Sequence, residues 1–205
     1  MVQKSDKKSK LFLLIIISLF FAMFIVLLNF HVLLYNQGFV DKLLDKHSIE
    51  EAKQPTNQLI NYFQGTDNIP EVFEDENEIN HLHDVKKIIN ISSLLLILSF
   101  FIVVFYIIFH KKKGLKKIFL FSHSFIFILT IFLVILPFTP LFSLFHKLLF
   151  NPGTWLFPAS STLIKFYPEI FFQEFAKYVI IASLITCLPF MLYEILKKIK
   201  KKLKN

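Results

Sequence analysis

The sequence predicts an all-α polytopic membrane protein with four transmembrane helices, a small helical extracytoplasmic subdomain between helices 1 and 2, and an interfacial helical segment between helices 3 and 4. Three observations carry this. Four apolar runs are each long enough to cross a hydrocarbon core of ~30 Å at ~1.5 Å per residue. The chain is 55% hydrophobic and 17% aromatic, with a mean hydropathy of +0.58, well above soluble-domain averages. Its lysines stand in blocks beside the apolar runs, so the net charge of +8 reads as a topology signal. The chain has no arginine, so bidentate guanidinium contacts to phosphate or guanine are excluded and nucleic acid is not an expected partner.

The whole chain, 1–205, reads as one integral membrane domain. The first span is 11–35, preceded by Lys4, Lys7, Lys8 and Lys10. Its apolar run is longer than the core of a signal peptide and no small-x-small site follows, so it is expected to be retained. Residues 36–87 form a polar outer loop with eleven acidic residues (Asp41, Asp45, Glu50, Glu51, Asp67, Glu71, Glu74, Asp75, Glu76, Glu78, Asp84) against five lysines. Within it, 48–63 has helix-forming character, with Leu59, Ile60 and Phe63 as its apolar positions and Pro70 as its breaker.

The second span is 88–109, with Ser92, Ser93 and Ser99 among its few polar interruptions. A basic turn follows, with Lys111, Lys112, Lys113, Lys116, Lys117 and a glycine, Gly114, to permit the reversal. The third span is 118–136. In 137–173, Pro137, Pro140, Pro152, Pro158 and Pro168 cut an aromatic segment into pieces too short to cross a bilayer, which places it in the interface with Trp155 and Tyr167 as anchors. The fourth span is 175–196, and a lysine-rich tail ends the chain.

Four glycines, no GxxxG and twenty-seven phenylalanines argue against glycine-groove helix pairing. The lone cysteine, Cys187, permits no intramolecular disulfide and reads as a packed small side chain. The basic N-terminus, second loop and C-tail put both termini in the cytoplasm, and the acidic first loop and the chopped segment together outside.

The chemistry-bearing stretch enters the second span. At ~100° per residue Glu78, His81 and Asp84 share one helix stripe while His83 points to the opposite side. Flanking carboxylates can orient an imidazole and hold its proton, which suits general acid-base work; acidic residues at a helix start also serve as ordinary caps, and a histidine there can be merely solvated. Seven residues before Ile88, His81 lies ~10 Å above the hydrocarbon edge, at the depth of lipid esters. In 141–150, Leu141, Leu144, Phe145 and Leu148 share an apolar side with His146 at its flank and Ser143 and Lys147 on the polar edge.

No phosphate loop, nucleophile elbow, CxxC or HExxH occurs, and no metal or cofactor is expected. Ser160, Ser161 and Thr162 read as a helix cap before Leu163 rather than as nucleophiles.

The pattern Glu78-x-x-His81-Leu82-x-Asp84-Val85-Lys86, then a span, a basic turn, a span, and Phe145-His146-x-x-x-Phe150 with Trp155 five residues on, resembles the bacterial lipoprotein intramolecular transacylase family across 61–193. The resemblance implies a multi-pass enzyme of the cell membrane that moves the sn-2 acyl chain of a diacylglyceryl-modified lipoprotein onto the α-amine of its N-terminal cysteine. It implies His81 and His146 as the catalytic pair, with Glu78, Asp84, Lys86 and Trp155 orienting them or positioning substrate. Two departures are visible: Leu149 precedes Phe150 where the family usually carries an aromatic pair, and His83 is an additional imidazole. The residues alone leave open which histidine is the base. They also leave two other readings open, a non-enzymatic membrane protein binding a partner through its acidic loop and a different lipid acyltransferase or hydrolase.

Overall fold

The computed structural model describes residues 2–110 and 114–202, with side chains at 8–110, 114–189, 196 and 199. Lys111, Lys112, Lys113 and Lys204 of the expected basic turn and tail lie outside the described residues. Among the described residues eight α-helices follow one another: α1 (Val2–Leu34), α2 (Gln37–Lys46), α3 (Lys53–Gln64), α4 (Glu76–His110), α5 (Leu115–Ile135), α6 (Phe138–Leu149), α7 (Thr162–Phe166) and α8 (Glu169–Lys202), with a 3-10 turn at Glu50–Ala52 before α3. Among the described residues there is no strand. Four of the helices, α1, α4, α5 and α8, are long and apolar enough to cross a membrane.

Helix boundaries run past the apolar boundaries. α4 begins at Glu76, twelve residues ahead of Ile88, because Asp75 accepts from the Asn77 and Glu78 backbone N–H groups at its start and the polar stretch through Lys87 has no helix breaker. α8 begins at Glu169, directly after Pro168 and six residues ahead of 175.

The chain divides into two compact units. The first comprises Met1–Asn29, Leu94–Phe132 and Ile180–Asn205. Its helices meet through serines rather than glycines: Ser18, Ser99, Ser122 and Ser183, one on each of α1, α4, α5 and α8, are fully buried. Ser122 donates 2.8 Å to the Ser18 carbonyl and also bonds the Ile118 carbonyl of its own helix, so a small hydroxyl both permits close approach and stays satisfied in an apolar setting. Asn29 and Thr186 form a second polar link between α1 and α8. Cys187 packs with Ala22, Ile25 and Ile126 as a small apolar side chain. Gly114 takes φ +82°, the left-handed region that favours glycine; a Cβ there would come closest to the movable end of Leu14, at 2.7 Å. By contrast Ile97, Phe101, Phe105 and Phe109 form an exposed i, i+4 stripe along α4, the face a lipid-solvated helix presents.

Replacing Ser122 with leucine is expected to destabilise the protein by about 1–3 kcal/mol through overpacking. The same change at exposed Ser124 should leave the thermal midpoint in detergent unmoved.

The second unit comprises Phe30–Ser93 and Leu133–Val179. Its core joins α2, α3, the start of α4, α7 and the start of α8 through Val40, Leu43, Leu44, Leu59, Phe63, Phe73, Leu82, Leu163, Phe166 and Phe171. Thr56 and Tyr167 share a buried 2.7 Å hydrogen bond between α3 and the α7–α8 turn, and Lys46 pairs with Glu174. The acidic loop is thus a packed helical subdomain. His31 is buried against Ser92 and Ser93, with Nε2 3.1 Å from the Ser92 hydroxyl, which accounts for two of the serines interrupting α4.

Candidate active site

The second unit brings His81 and His146 together. Their rings lie nearly parallel with centroids 6.1 Å apart, though 65 positions separate them in sequence. Both are more than nine-tenths buried. Phe150 stands 4.7 Å from the His81 ring and 5.2 Å from the His146 ring. Phe157 meets His81 edge-on at 5.3 Å, and Trp155 lies 5.0 Å from His146. Two imidazoles therefore sit in an aromatic frame supplied by α4, α6 and the segment joining α6 to α7.

The burial of His146 corrects the flank position predicted for it. On α6 it is the buried residue, while Leu144, Phe145, Leu148 and Leu149 are exposed. A helix beside lipid turns its aliphatic face outward and its polar side chain toward protein, the reverse of the soluble pattern. Pro140 sits in the first turn of α6, where its missing N–H removes no helix bond.

The hydrogen bonds of the two rings differ. The Nδ1 of His146 is 2.7 Å from the Phe142 carbonyl oxygen. A carbonyl only accepts, so Nδ1 carries the proton, and in the neutral ring Nε2 is a free lone pair. The Nδ1 of His81 is buried without a hydrogen-bond partner, which leaves one polar atom of the pair open to a reacting group.

Burial pushes both imidazoles toward the neutral form. For His81, which precedes the apolar run, desolvation and the proximity of His146 bring the pKa down to about 4, against smaller opposing contributions from Asp84 and the Thr154 backbone. His146 is likewise lowered by desolvation, with the Phe142 carbonyl opposing.

The expected orienting residues are placed differently. Glu78 is fully buried, but its Oε1 accepts from the Ser161 hydroxyl at 2.5 Å and from the Leu163 backbone N–H at 3.3 Å. It therefore anchors the start of α7, which Ser161 caps by accepting from the Ile164 N–H, and its hydrogen bonds do not reach His81. Asp84 pairs with Lys87 at 2.9 Å and acts on His81 only through its field. Lys86 lies over the Tyr62 ring, 3.9 Å from its centroid. His83 turns away from the pair, as the helix angle requires, and its Nδ1 is 2.7 Å from the Tyr62 hydroxyl. Phe157, Thr154 and Tyr62 were not singled out from the sequence; nothing local distinguishes them from other residues of an aromatic-rich chain. Among the described residues no group of histidine, cysteine and carboxylate side chains could hold a metal ion.

In the comparisons with solved structures, the chain resembles the in meso structure of the membrane-integral lipoprotein intramolecular transacylase Lit from Bacillus cereus, with a TM-score of 0.75 and 24% identity over 93% of this chain and 97% of that one. It also resembles the same protein carrying a histidine-to-alanine mutation (TM-score 0.72, 22% identity, 98% and 100% of the two chains) and a histidine-to-arginine mutation (TM-score 0.69, 23% identity, 100% of both). At these identities the likeness is one of fold. No curated protein matches the chain in sequence. The family model for Lipoprotein intramolecular transacylase Lit matches residues 9–172, well over half of the chain. An all-helical, four-span protein that this model covers so fully belongs to the lipoprotein intramolecular transacylase Lit family.

Proposed function

We propose that this membrane acyltransferase moves the sn-2 acyl chain of a diacylglyceryl-modified lipoprotein to the α-amine of its N-terminal cysteine, and that His81 and His146 carry the proton transfers. The observation that supports this most is the pairing of two buried imidazoles 6.1 Å apart in an aromatic frame. Attack by the amine forms the N–C bond, expulsion of the glycerol oxygen breaks the C–O bond, and one proton must move from nitrogen to that oxygen. His146 Nε2, held as an acceptor by the bond from Nδ1 to Phe142, takes the amine proton. That proton then passes across the pair to the unpartnered Nδ1 of His81, which delivers it to the departing glycerol oxygen. Nitrogen loses the proton that oxygen gains, so the two rings together end as they began. Donor ester and acceptor amine reside in one molecule, which supplies proximity and makes an acyl-enzyme intermediate unnecessary. Trp155 and Phe157 position the lipid ester against the rings.

In this reading the catalytic pair, the acidic loop and the α6–α7 segment face the extracytoplasmic side and both termini the cytoplasm, the orientation the lysine blocks favour. The apolar runs 11–35, 88–109, 118–136 and 175–196 are the membrane-embedded lengths, with 137–173 in the interface. Mass spectrometry of a diacyl lipopeptide with an isotopically labelled sn-2 chain tests the reaction: the label should move from the glyceryl group to the α-amide. Retention of the label on glycerol, or its release as free fatty acid, would overturn it.

The lowered pKa values set a pH dependence. A free α-amine loses reactivity below about pH 8, giving a slope of one in log rate against pH. The proton acceptor His146 has its pKa lowered from 6.5 by burial and His81 stays neutral down to about 4, so steepening to a slope of two is expected only below 6.5. Steepening already at 6.5 would contradict it. The sign for stability is the same: both folded-state values lie below the unfolded 6.5, so their contribution is complete above 6.5 and is lost as pH falls toward the folded values.

A further inference from the structure

Asn80, His83, Asp84, Lys86, Lys87 and Asn90 of α4, together with Tyr62 and Thr154, line an open groove of ≈ 600 Å³. Lys87 is neutralised by Asp84. Lys86, a half-buried residue, takes part in no described ion pair; its ammonium rests on the Tyr62 ring, an arrangement that fixes a cation without cancelling its charge. Tyr62 is in turn held by His83, so ring and ammonium are both pre-placed. Two ammonium groups against one carboxylate leave one uncompensated positive charge, matched to a monoanion.

The order of the groups along the helix narrows the ligand. From Asn80 to Asn90 is about 15 Å at ~1.5 Å per residue. Asn80 lies toward the polar end, Lys86 immediately before the apolar run, and Asn90 two residues inside it. That sequence of neutral donor, cation and neutral donor parallels a glycerophospholipid read inward: head alcohol, phosphodiester, acyl ester. Lysine binds phosphate as a point charge, which suits a chain without arginine.

We propose that this groove binds an anionic glycerophospholipid, with Lys86 holding the phosphodiester. The site goes beyond the acyl-transfer reaction, since the diacylglyceryl group of the substrate carries no phosphate, and it stands or falls without that reaction. Native mass spectrometry of the purified protein in detergent, titrated separately with dioleoylphosphatidylglycerol, dioleoylglycerol and inorganic phosphate, tests it. Phosphatidylglycerol should be retained over dioleoylglycerol, with about a ten-fold loss in Lys86→Met. Lys86→Arg should keep binding, and Lys177→Met, a lysine paired with Glu174, should behave as wild type. Equal retention of the phosphate-free lipid, or unchanged binding in Lys86→Met, would overturn the proposal. Displacement of the lipid by equimolar inorganic phosphate would overturn the lipid in favour of a free anion.

Discussion

Replacing His146 with glutamine is expected to slow acyl transfer by about two to four orders of magnitude, the usual contribution of a positioned acid-base group, with little change in the amount of folded protein. Glutamine keeps a similar volume beneath Trp155 and Phe150, but has no lone pair that binds a proton at neutral pH. Single-turnover rates in detergent would measure the loss. His81→Gln should fall as far. A full-rate His146→Gln would mean that the ring is only a packing element of α6.

The second large effect is expected at Glu78. Removing its side chain strands the Ser161 hydroxyl and the Leu163 N–H in a buried setting, and Glu78→Ala should cost about 3 kcal/mol, the scale of hydrogen bonds to a charged acceptor. The damage should spread to activity, because the segment that Ser161 closes also carries Trp155 and Phe157 to the two rings. Glu78→Gln, which retains an acceptor oxygen, should recover most of the melting temperature and rate. A carboxylate whose task was to hold charge beside His81 would give the opposite pattern, with Gln as inactive as Ala and no thermal penalty in Gln.

The contrast between Glu78 and the histidines shows what the sequence can reveal. Apolar runs long enough to span a bilayer specify their own helices, since each backbone group in lipid must find its partner within the segment; hence α1, α4, α5 and α8 were legible. The facing of His83 away from His81 followed from helix geometry alone. His81 and His146 stood out from the other five histidines because these two occurred in a recognisable pattern. Glu78 was legible as important but not in role: a helix wheel counts neighbours at i±3, while the carboxylate found its partners 83 and 85 residues away. His146 reads as a flank residue at the lipid boundary because the helix wheel sets it beside the apolar stripe and holds no sign that Phe150 and Trp155 cover that edge; α6 exposes its leucines and buries the ring. The serine contacts of the first unit were hidden for a similar reason: Ser18, Ser99, Ser122 and Ser183 differ from other serines only in where the neighbouring helix falls.

The central claim is that two imidazoles act as one proton-handling unit on a single ester. A double-mutant cycle measures this most directly, using single-turnover acyl transfer on one lipopeptide by wild type, His81→Gln, His146→Gln and the double variant. The double variant should be no more than a few-fold slower than either single, because residues that act together lose their function together. Losses that multiply, with each ring contributing independently, would contradict the account.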